Sequence, residues 1–192
     1  RKFKPREAIS GVFTKAGKVF KSSQIKKKLL GRKLREISRR GKYILMWLDD
    51  GQCLSVHLGM TGQLYWTRGE RQPDRHTPFR LGFKDSDKVL QFRDVRKFGH
   101  VGLYKSEEEL WSDEKISNLG PDALQISLAD FGRLLERRRM IKALLLDQRA
   151  IAGIGNIYAD ESLFAAKVHP KQRANEIGQT KVRKLYKSMR RI

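Results

Sequence analysis

Residues 141–170 read IKALLLDQRAIAGIGNIYADESLFAAKVHP, and this stretch decides how the second half of the chain folds. Apolar residues recur at helical spacing before the segment Gly-Ile-Gly-Asn at 153–156 and again over 157–166, and Pro170 lies just beyond. The pattern predicts a helix, a glycine-rich turn and a second helix that Asn156 caps. Backbone N–H groups at such a turn, together with the helix N-terminus, can bind a phosphate oxygen. The spacing alone is equally compatible with an ordinary helix hairpin whose glycines only permit a tight turn.

The rest of the second half is also helical in pattern. Ser127 and Asp130 have the spacing of a capping box, with Asp in place of Glu, and apolar residues then repeat at helical spacing over 128–135. Residues 182–192 predict a last amphipathic helix with an apolar face and a Lys/Arg face.

The first half predicts short strands. Apolar and aromatic runs alternate with turn residues such as Asp49, Asp50 and Gly51, a spacing typical of an antiparallel sandwich or barrel. A short helix with Ser22 or Ser23 as its cap is expected to end near Leu30. The predicted strands are 43–48, 53–58, 63–67, 79–83, 89–92 and 100–104, so the fold class is α+β.

The charge of the chain indicates a polyanionic partner. Lys and Arg total 42 against 21 Asp and Glu, a net charge of +21. Residues 1–50 hold 16 basic and four acidic residues, and residues 171–192 hold eight and one, whereas residues 105–131 hold two and seven. Both ends are therefore expected to face phosphate, which favours nucleic acid as the partner.

Cysteine and apolar content exclude other classes. Cys53 is the only cysteine, so the chain can form neither an internal disulfide nor a cysteine-rich zinc site. No apolar run approaches the roughly 20 residues of a membrane helix, and no signal-peptide pattern opens the chain. The sequence begins at Arg1 and ends within a helical pattern at Ile192, so we expect both ends to be cut.

Five motifs together resemble one known family. Residues 141–170 are similar to the helix–two-turn–helix signature of the formamidopyrimidine-DNA glycosylase and endonuclease VIII superfamily. Three further segments resemble motifs of the formamidopyrimidine branch and occur in the same order along the chain: RRGKYIL (39–45), HLGMTGQL (57–64) and FRDVRKFG (92–99). The segment LGPDAL (119–124) resembles the interdomain link of that branch. With the change of periodicity, this implies an N-terminal antiparallel β-sandwich over 1–105, an acidic linker over 106–120 and a helix–two-turn–helix DNA-binding domain over 121–192.

The resemblance implies a role for each motif. Met60, Arg96 and Phe98 correspond to the side chains that enter the duplex when a base is extruded, and Arg96 would also hydrogen-bond the orphaned cytosine. Lys42 corresponds to a lysine beside the scissile sugar and phosphate, a supporting catalytic role. The other DNA-binding residues implied are His57, His76, Lys142, Gly155, Asn156 and Tyr158.

Two parts of the family pattern are expected to be missing. The chemistry of the family starts at an N-terminal proline in a PELPE-type opening, whose secondary amine attacks the sugar C1′. Pro5 is no substitute, because the nitrogen of an internal proline is an amide. The four-cysteine zinc finger that normally follows is also absent, so we expect no cofactor in this chain and one zinc ion in a full-length protein.

The sequence therefore predicts a base-excision-repair DNA glycosylase with AP-lyase activity on oxidised purines (8-oxoguanine and formamidopyrimidines) in double-stranded DNA, with the printed chain lacking the nucleophile. We expect a cytoplasmic, nucleoid-associated bacterial monomer without a membrane partner. One alternative is a non-catalytic damaged-DNA-binding module of the same fold. A more distant one, an RNA-associated helix–two-turn–helix protein, is disfavoured by the set of wedge residues.

Overall fold

The structure is a computed structural model that describes residues 8–14, 25–69 and 72–192. Within these described ranges, eight strands lie in the first half of the chain, because its apolar runs are short and are separated by turns. Their bounds are β1 Ile9–Thr14, β2 Leu34–Arg40, β3 Tyr43–Leu48, β4 Cys53–His57, β5 Gln63–Arg68, β6 Phe79–Phe83, β7 Lys88–Arg93 and β8 His100–Tyr104.

The strands form two four-stranded antiparallel sheets. One sheet has the order β1-β6-β7-β5 and the other the order β2-β3-β4-β8. Buried side chains of both sheets, such as Phe79 and Phe92 from the first and Leu54 and Val56 from the second, belong to one hydrophobic core. This shared core makes the pair of sheets a β-sandwich, as the sequence predicted.

The described part of the chain also contains seven α-helices. They are α1 Ile25–Leu29, α2 Glu107–Ser112, α3 Glu114–Ser117, α4 Leu128–Leu134, α5 Ile141–Leu146, α6 Asn156–Ala166 and α7 Gln179–Arg191, with a 3₁₀ turn at Ala174–Glu176. Helices α4 to α7 share a second core, in which Phe131, Leu144, Leu163 and Leu185 are among the buried side chains. None of the helices in the described part of the chain has the length and apolar character needed to cross a bilayer.

The chain divides into two compact units. The first contains residues 1–39 and 43–113, and the second contains residues 40–42 and 114–192. The end of β2 at Arg40 and the following turn, residues 41–42, therefore belong to the helical unit, although the rest of β2 and all of β3 belong to the sandwich. The acidic segment that we predicted as a linker contains helices α2 and α3.

The α+β class is confirmed, and the strands β3, β6 and β8 have the predicted bounds. Strands β1 and β2 are not among the predicted strands. The only fully buried side chain of β2 is Leu34, and β2 lies at a sheet edge, where charged residues replace the apolar alternation of a central strand. Helix α1 lies within the predicted range, but its predicted Ser22 or Ser23 cap is outside the described residues.

Candidate nucleic-acid interface

The three predicted wedge residues lie on two loops of the sandwich unit. Met60 lies in the turn between β4 and β5, while Arg96 and Phe98 lie between β7 and β8. The Met60 side chain is 70% exposed and Phe98 is 55% exposed, so neither belongs to the core. The Arg96 guanidinium carbon lies 4.6 Å from the centre of the Phe98 ring, within the range of a cation–π contact. The loops thus present two large apolar groups and one cation to solvent.

The two predicted backbone-contacting histidines are held by their own surroundings. His57 ends β4, its Nδ1 accepts a hydrogen bond from Gly59 N (3.1 Å), and its ring stacks on His100 with 5.2 Å between centres. His76 donates its backbone N–H to Asp74 Oδ1 (3.0 Å), and its Nε2 accepts from Arg75 Nε (2.9 Å). The structure therefore fixes both rings next to the loops that carry the wedge residues.

A single carboxylate organises the His76 loop. Asp74 accepts from Thr77 Oγ1 (2.7 Å), from Arg93 Nε (2.7 Å) and from the backbone of His76. The hydrogen bonds from Thr77 and Arg93 lower the pKa of Asp74 to about 2. Sequence reasoning did not single out this residue, because its partners lie on another strand and in the following turn.

Lys42 belongs to the helical unit and lies beside its glycine-rich turn. A Cβ built on Gly155 would be 3.7 Å from Lys42 Nζ. The preceding turn is fastened to the LGPDAL segment, because Gly41 N donates to Asp122 Oδ2 (3.2 Å) and the Arg40 guanidinium donates to Leu119 O (2.5 Å). The RRGKYIL motif therefore contacts both the glycine-rich turn of residues 141–170 and the LGPDAL motif.

The ammonium group of Lys42 is in a partly desolvated position. The side chain as a whole is exposed, but burial around the amine lowers the pKa of Lys42 from its usual value. Gly41 has a φ of +56°, and a Cβ there would lie 3.3 Å from that of Ala152, so the turn that places Lys42 favours glycine on both counts.

The prediction that Asn156 caps helix α6 is wrong. Gly155 is the N-cap, with extended dihedral angles (φ −108°, ψ 178°), and no side chain caps the helix. Asn156 already has helical geometry as the first residue of α6, so its side chain is not in the position from which a cap accepts the following N–H groups. The start of this 11-residue helix keeps uncapped N–H groups, a favourable place for an anion.

The other predicted residues of this unit lie on α5 and α6. Asn156 and Tyr158 are exposed, with Tyr158 at 55%. Lys142 on α5 forms an ion pair with Asp160 on α6, with 2.7 Å between Lys142 Nζ and Asp160 Oδ1. A phosphate that binds Lys142 must therefore compete with Asp160. Sequence reasoning missed this partner, since the two residues are 18 positions apart.

The described residues contain neither a reactive cysteine nor a cluster of metal ligands. Cys53 is fully buried, and this burial raises the pKa of its thiol to about 12, so it does not supply a thiolate nucleophile. No group of three or more His, Cys, Asp or Glu side chains in the described ranges is arranged to hold a metal ion.

Comparison with protein families gives two matches. Residues 6–101 match the family model described as the formamidopyrimidine-DNA glycosylase N-terminal domain. Residues 119–192 match the model of the formamidopyrimidine-DNA glycosylase H2TH domain.

Individual relatives agree with the family match. A formamidopyrimidine-DNA glycosylase of Desulfitobacterium hafniense is 42% identical over 159 residues, which cover 81% of this chain and 57% of the relative. Two solved structures of Lactococcus lactis Fpg, one with abasic-site DNA and one with FAPY-dG DNA, are each 30% identical with a TM-score of 0.84. The matches cover 96% and 95% of this chain and 69% and 70% of those chains. The chain thus spans about three fifths of the length of the first curated relative.

Proposed function

Because the chain belongs to the formamidopyrimidine-DNA glycosylase family, we propose that it is part of a base-excision-repair glycosylase that binds damaged bases in duplex DNA. The observation that carries this proposal is the exposed wedge set. The phenylalanines of strands β6 and β7 are buried, whereas Met60 and Phe98 on the neighbouring loops are exposed. The Arg96 cation lies over the Phe98 ring. Apolar side chains in such positions replace the stacking that an extruded base loses.

The helical unit supplies features suited to the DNA backbone. The uncapped start of α6 presents N–H groups, and Lys42 Nζ lies close to Gly155 at that start. A cation beside a helix N-terminus attracts a phosphate oxygen from two sides. We propose that this arrangement holds a phosphate of the damaged strand.

A second part of the proposal concerns which damaged base is removed and which reaction follows. We propose oxidised purines opposite cytosine as substrates, with strand cleavage by elimination after base release. One of the similar Lactococcus lactis structures contains FAPY-dG DNA, and a similar structure of MutM contains carbocyclic 8-oxo-G DNA, which supports this choice of substrate. Arg96 is the residue proposed to read the orphaned base, since a guanidinium can donate two hydrogen bonds to cytosine.

Binding to matched duplexes tests the proposed function. One duplex contains a tetrahydrofuran abasic analogue opposite cytosine, and the other has an intact pair at that position. We expect the 192-residue chain to bind the first duplex at least about tenfold more tightly, a difference of roughly 1.4 kcal/mol. Equal affinity for the two duplexes would contradict a damage-recognition role.

Borohydride trapping separates chemistry from binding. Two polypeptides are compared: the printed 192 residues, and the same residues preceded by a PELPE-type opening and followed by a four-cysteine zinc finger. We expect trapping of abasic DNA only by the second, because its terminal proline provides a secondary amine for attack at C1′. Efficient trapping by the first, lost in Lys42→Ala, would instead assign the nucleophile to a lysine with a lowered pKa.

A further inference from the structure

Three loops of the sandwich unit meet at one buried residue, Asp94. Asp94 is fully buried and follows strand β7, and its backbone N–H donates to His76 O (2.8 Å). Its Oδ2 accepts from Gly99 N (2.7 Å), and its Oδ1 accepts from Arg96 N (3.3 Å). The carboxylate therefore holds both ends of the loop that carries Arg96 and Phe98.

The Thr61 hydroxyl extends this network to the Met60 turn. Thr61 Oγ1 donates to Asp94 Oδ1 (2.7 Å) and accepts from Arg96 N (3.3 Å). One side chain thus links the residue next to Met60 directly to the loop of Arg96. Neither sequence motif discloses the link, because the two residues are 33 positions apart.

The backbones of the two loops also touch each other. A Cβ on Gly59 would lie 2.6 Å from Gly99 N, and a Cβ on Gly99 would lie 2.9 Å from His57 O, so both positions require glycine. Lys97, between the two wedge residues of the second loop, has a φ of +57°. A left-handed residue other than glycine persists only where its surroundings hold it, and here the Asp94 carboxylate binds the N–H groups of Arg96 and Gly99 on either side of Lys97.

Burial and hydrogen bonding shift the pKa of this carboxylate in opposite directions. Burial by itself would raise the pKa of Asp94. Hydrogen bonds from Thr61 and from the backbone of Gly99, Arg96 and Lys97 outweigh it, so the pKa lies below the usual value. The network is therefore formed with the ionised carboxylate at neutral pH, where its hydrogen bonds are the strong, charge-assisted kind.

We propose that Thr61 and Asp94 are positioning residues that lock the Met60 turn and the Arg96–Phe98 loop into a single preformed wedge. The proposal rests on the proposed function, since a wedge has a role only where DNA is opened. Locking the loops before binding removes the cost of ordering them in the complex. The three wedge side chains then enter a damaged duplex as one unit.

A valine substitution at Thr61 tests the lock with little change of shape. Thr61→Val removes the hydroxyl that both donates to Asp94 and accepts from Arg96. Thr61→Ser keeps that hydroxyl and serves as the rescue variant. Thr67→Val is the matched control, because Thr67 lies on β5 of the same unit and its hydroxyl makes only a long contact (3.4 Å) with Val89 O.

The first readout is amide hydrogen exchange in the DNA-free protein. We expect Thr61→Val to speed exchange at Arg96 and Gly99, whose N–H groups bind in this network, by roughly fivefold or more, as for the loss of one net hydrogen bond. Thr61→Ser and Thr67→Val should leave these amides unchanged. Unchanged exchange in Thr61→Val would overturn the lock whether or not the protein acts on DNA.

The second readout is the preference for tetrahydrofuran-containing over intact duplex. We expect Thr61→Val to reduce this preference by roughly five- to tenfold and to leave affinity for the intact duplex within about twofold. Thr61→Ser should restore the preference. A preference in Thr61→Val equal to that in Thr67→Val would overturn the proposal, and no preference in the unaltered chain would overturn the proposed function along with it.

A double-mutant cycle distinguishes a wedge unit from three separate contacts. In the unaltered chain, Met60→Ala and Phe98→Ala should have non-additive effects on binding to the tetrahydrofuran duplex, because each removes support from the same displaced base. In the Thr61→Val background the two effects should become additive within about twofold. Additivity in the unaltered chain would contradict a single wedge.

Discussion

Single residues in this protein acquire their roles from exposure and from partners. Met60 and Phe98 have apolar side chains of the size that usually fills a core, yet they are more than half exposed. Asp94 has a polar side chain of the kind that usually faces water, yet it is buried and accepts hydrogen bonds from Thr61, Arg96 and Gly99. The proposed wedge requires this arrangement, in which the apolar tips are exposed to a ligand and the polar group that holds the loops is buried.

Alanine substitution of the wedge residues is the first prediction at this scale. Met60→Ala and Phe98→Ala should weaken binding to a duplex with an abasic site by about 1–3 kcal/mol each, the usual range for a lost stacking contact. Binding to intact duplex should change much less, because a wedge contributes only when a base is displaced. Fluorescence anisotropy with both duplexes measures the difference.

Phe164→Ala is the control for these two variants. Phe164 on α6 is 84% exposed and belongs to the other unit, so its loss should affect the two duplexes equally. Equal losses for both duplexes in Met60→Ala or Phe98→Ala, or a large fall in their unfolding temperature, would show that these side chains are not wedges.

Acid stability is the second prediction at the residue scale. The folded-state pKa of Asp74 is about 2, below its ordinary value of 3.8, so its ionised form stabilises the fold. This contribution is complete above pH 3.8 and is lost as the pH falls towards 2. We expect Asp74→Asn to unfold at a lower temperature than the unaltered chain at pH 5, with the gap closing by about pH 2. A gap that stays constant over this range would contradict the assignment.

The N-termini of helices α4 and α6 differ in side-chain capping. Helix α4 has a side-chain cap, in which Ser127 Oγ accepts from Asp130 N (3.0 Å) and donates to the Asp130 carboxylate (2.6 Å). Helix α6 starts at Gly155 with no side-chain cap. The N–H groups that a side-chain cap would occupy at α6 are those that we propose to bind phosphate.

Removing the α4 cap is the prediction at the element scale. Ser127→Ala should destabilise the protein by about 1 kcal/mol, because it leaves a helix N–H without its acceptor. Ser117→Ala, at an exposed position at the end of α3, should change stability by no more than about 0.5 kcal/mol. Thermal denaturation followed by circular dichroism measures both. A loss in Ser127→Ala no larger than in the control would mean that the cap contributes nothing measurable.

At the scale of the whole molecule, the dominant property is the net charge of +21. The positive charge is concentrated in residues 1–50 and 171–192, while the acidic residues of 105–131 include those of helices α2 and α3. A charge excess of this size repels itself in the folded state, and binding of the proposed duplex DNA would relieve this repulsion.

Steep salt dependence is the prediction at this scale. With on the order of six to ten phosphate contacts, affinity for duplex DNA should fall by roughly a thousandfold or more between 50 and 200 mM salt. Lys142→Ala should reduce the slope of log affinity against log salt by about one if Lys142 exchanges Asp160 for a phosphate. A flat salt response of the unaltered chain would contradict the electrostatic interpretation.

Much of the fold was predictable from the sequence because its signals are local. Alternating apolar runs and turn residues predicted β3, β6 and β8 with their observed bounds, and the Ser127–Asp130 spacing predicted the start of α4. Such patterns act over a few residues, where backbone geometry and the nearest side chains decide the structure. The motifs also carried the family, which the comparisons confirmed.

Tertiary structure decided what depends on residues far apart in the chain. It alone shows that the turn at 40–42 belongs with the helical unit, that Asp160 pairs with Lys142, and that Thr61 and Asp94 join two loops. It also made Gly155 rather than Asn156 the cap of α6. Hydrogen bonds and ion pairs of this kind form between groups that packing brings together, and no periodicity of the sequence encodes that distance.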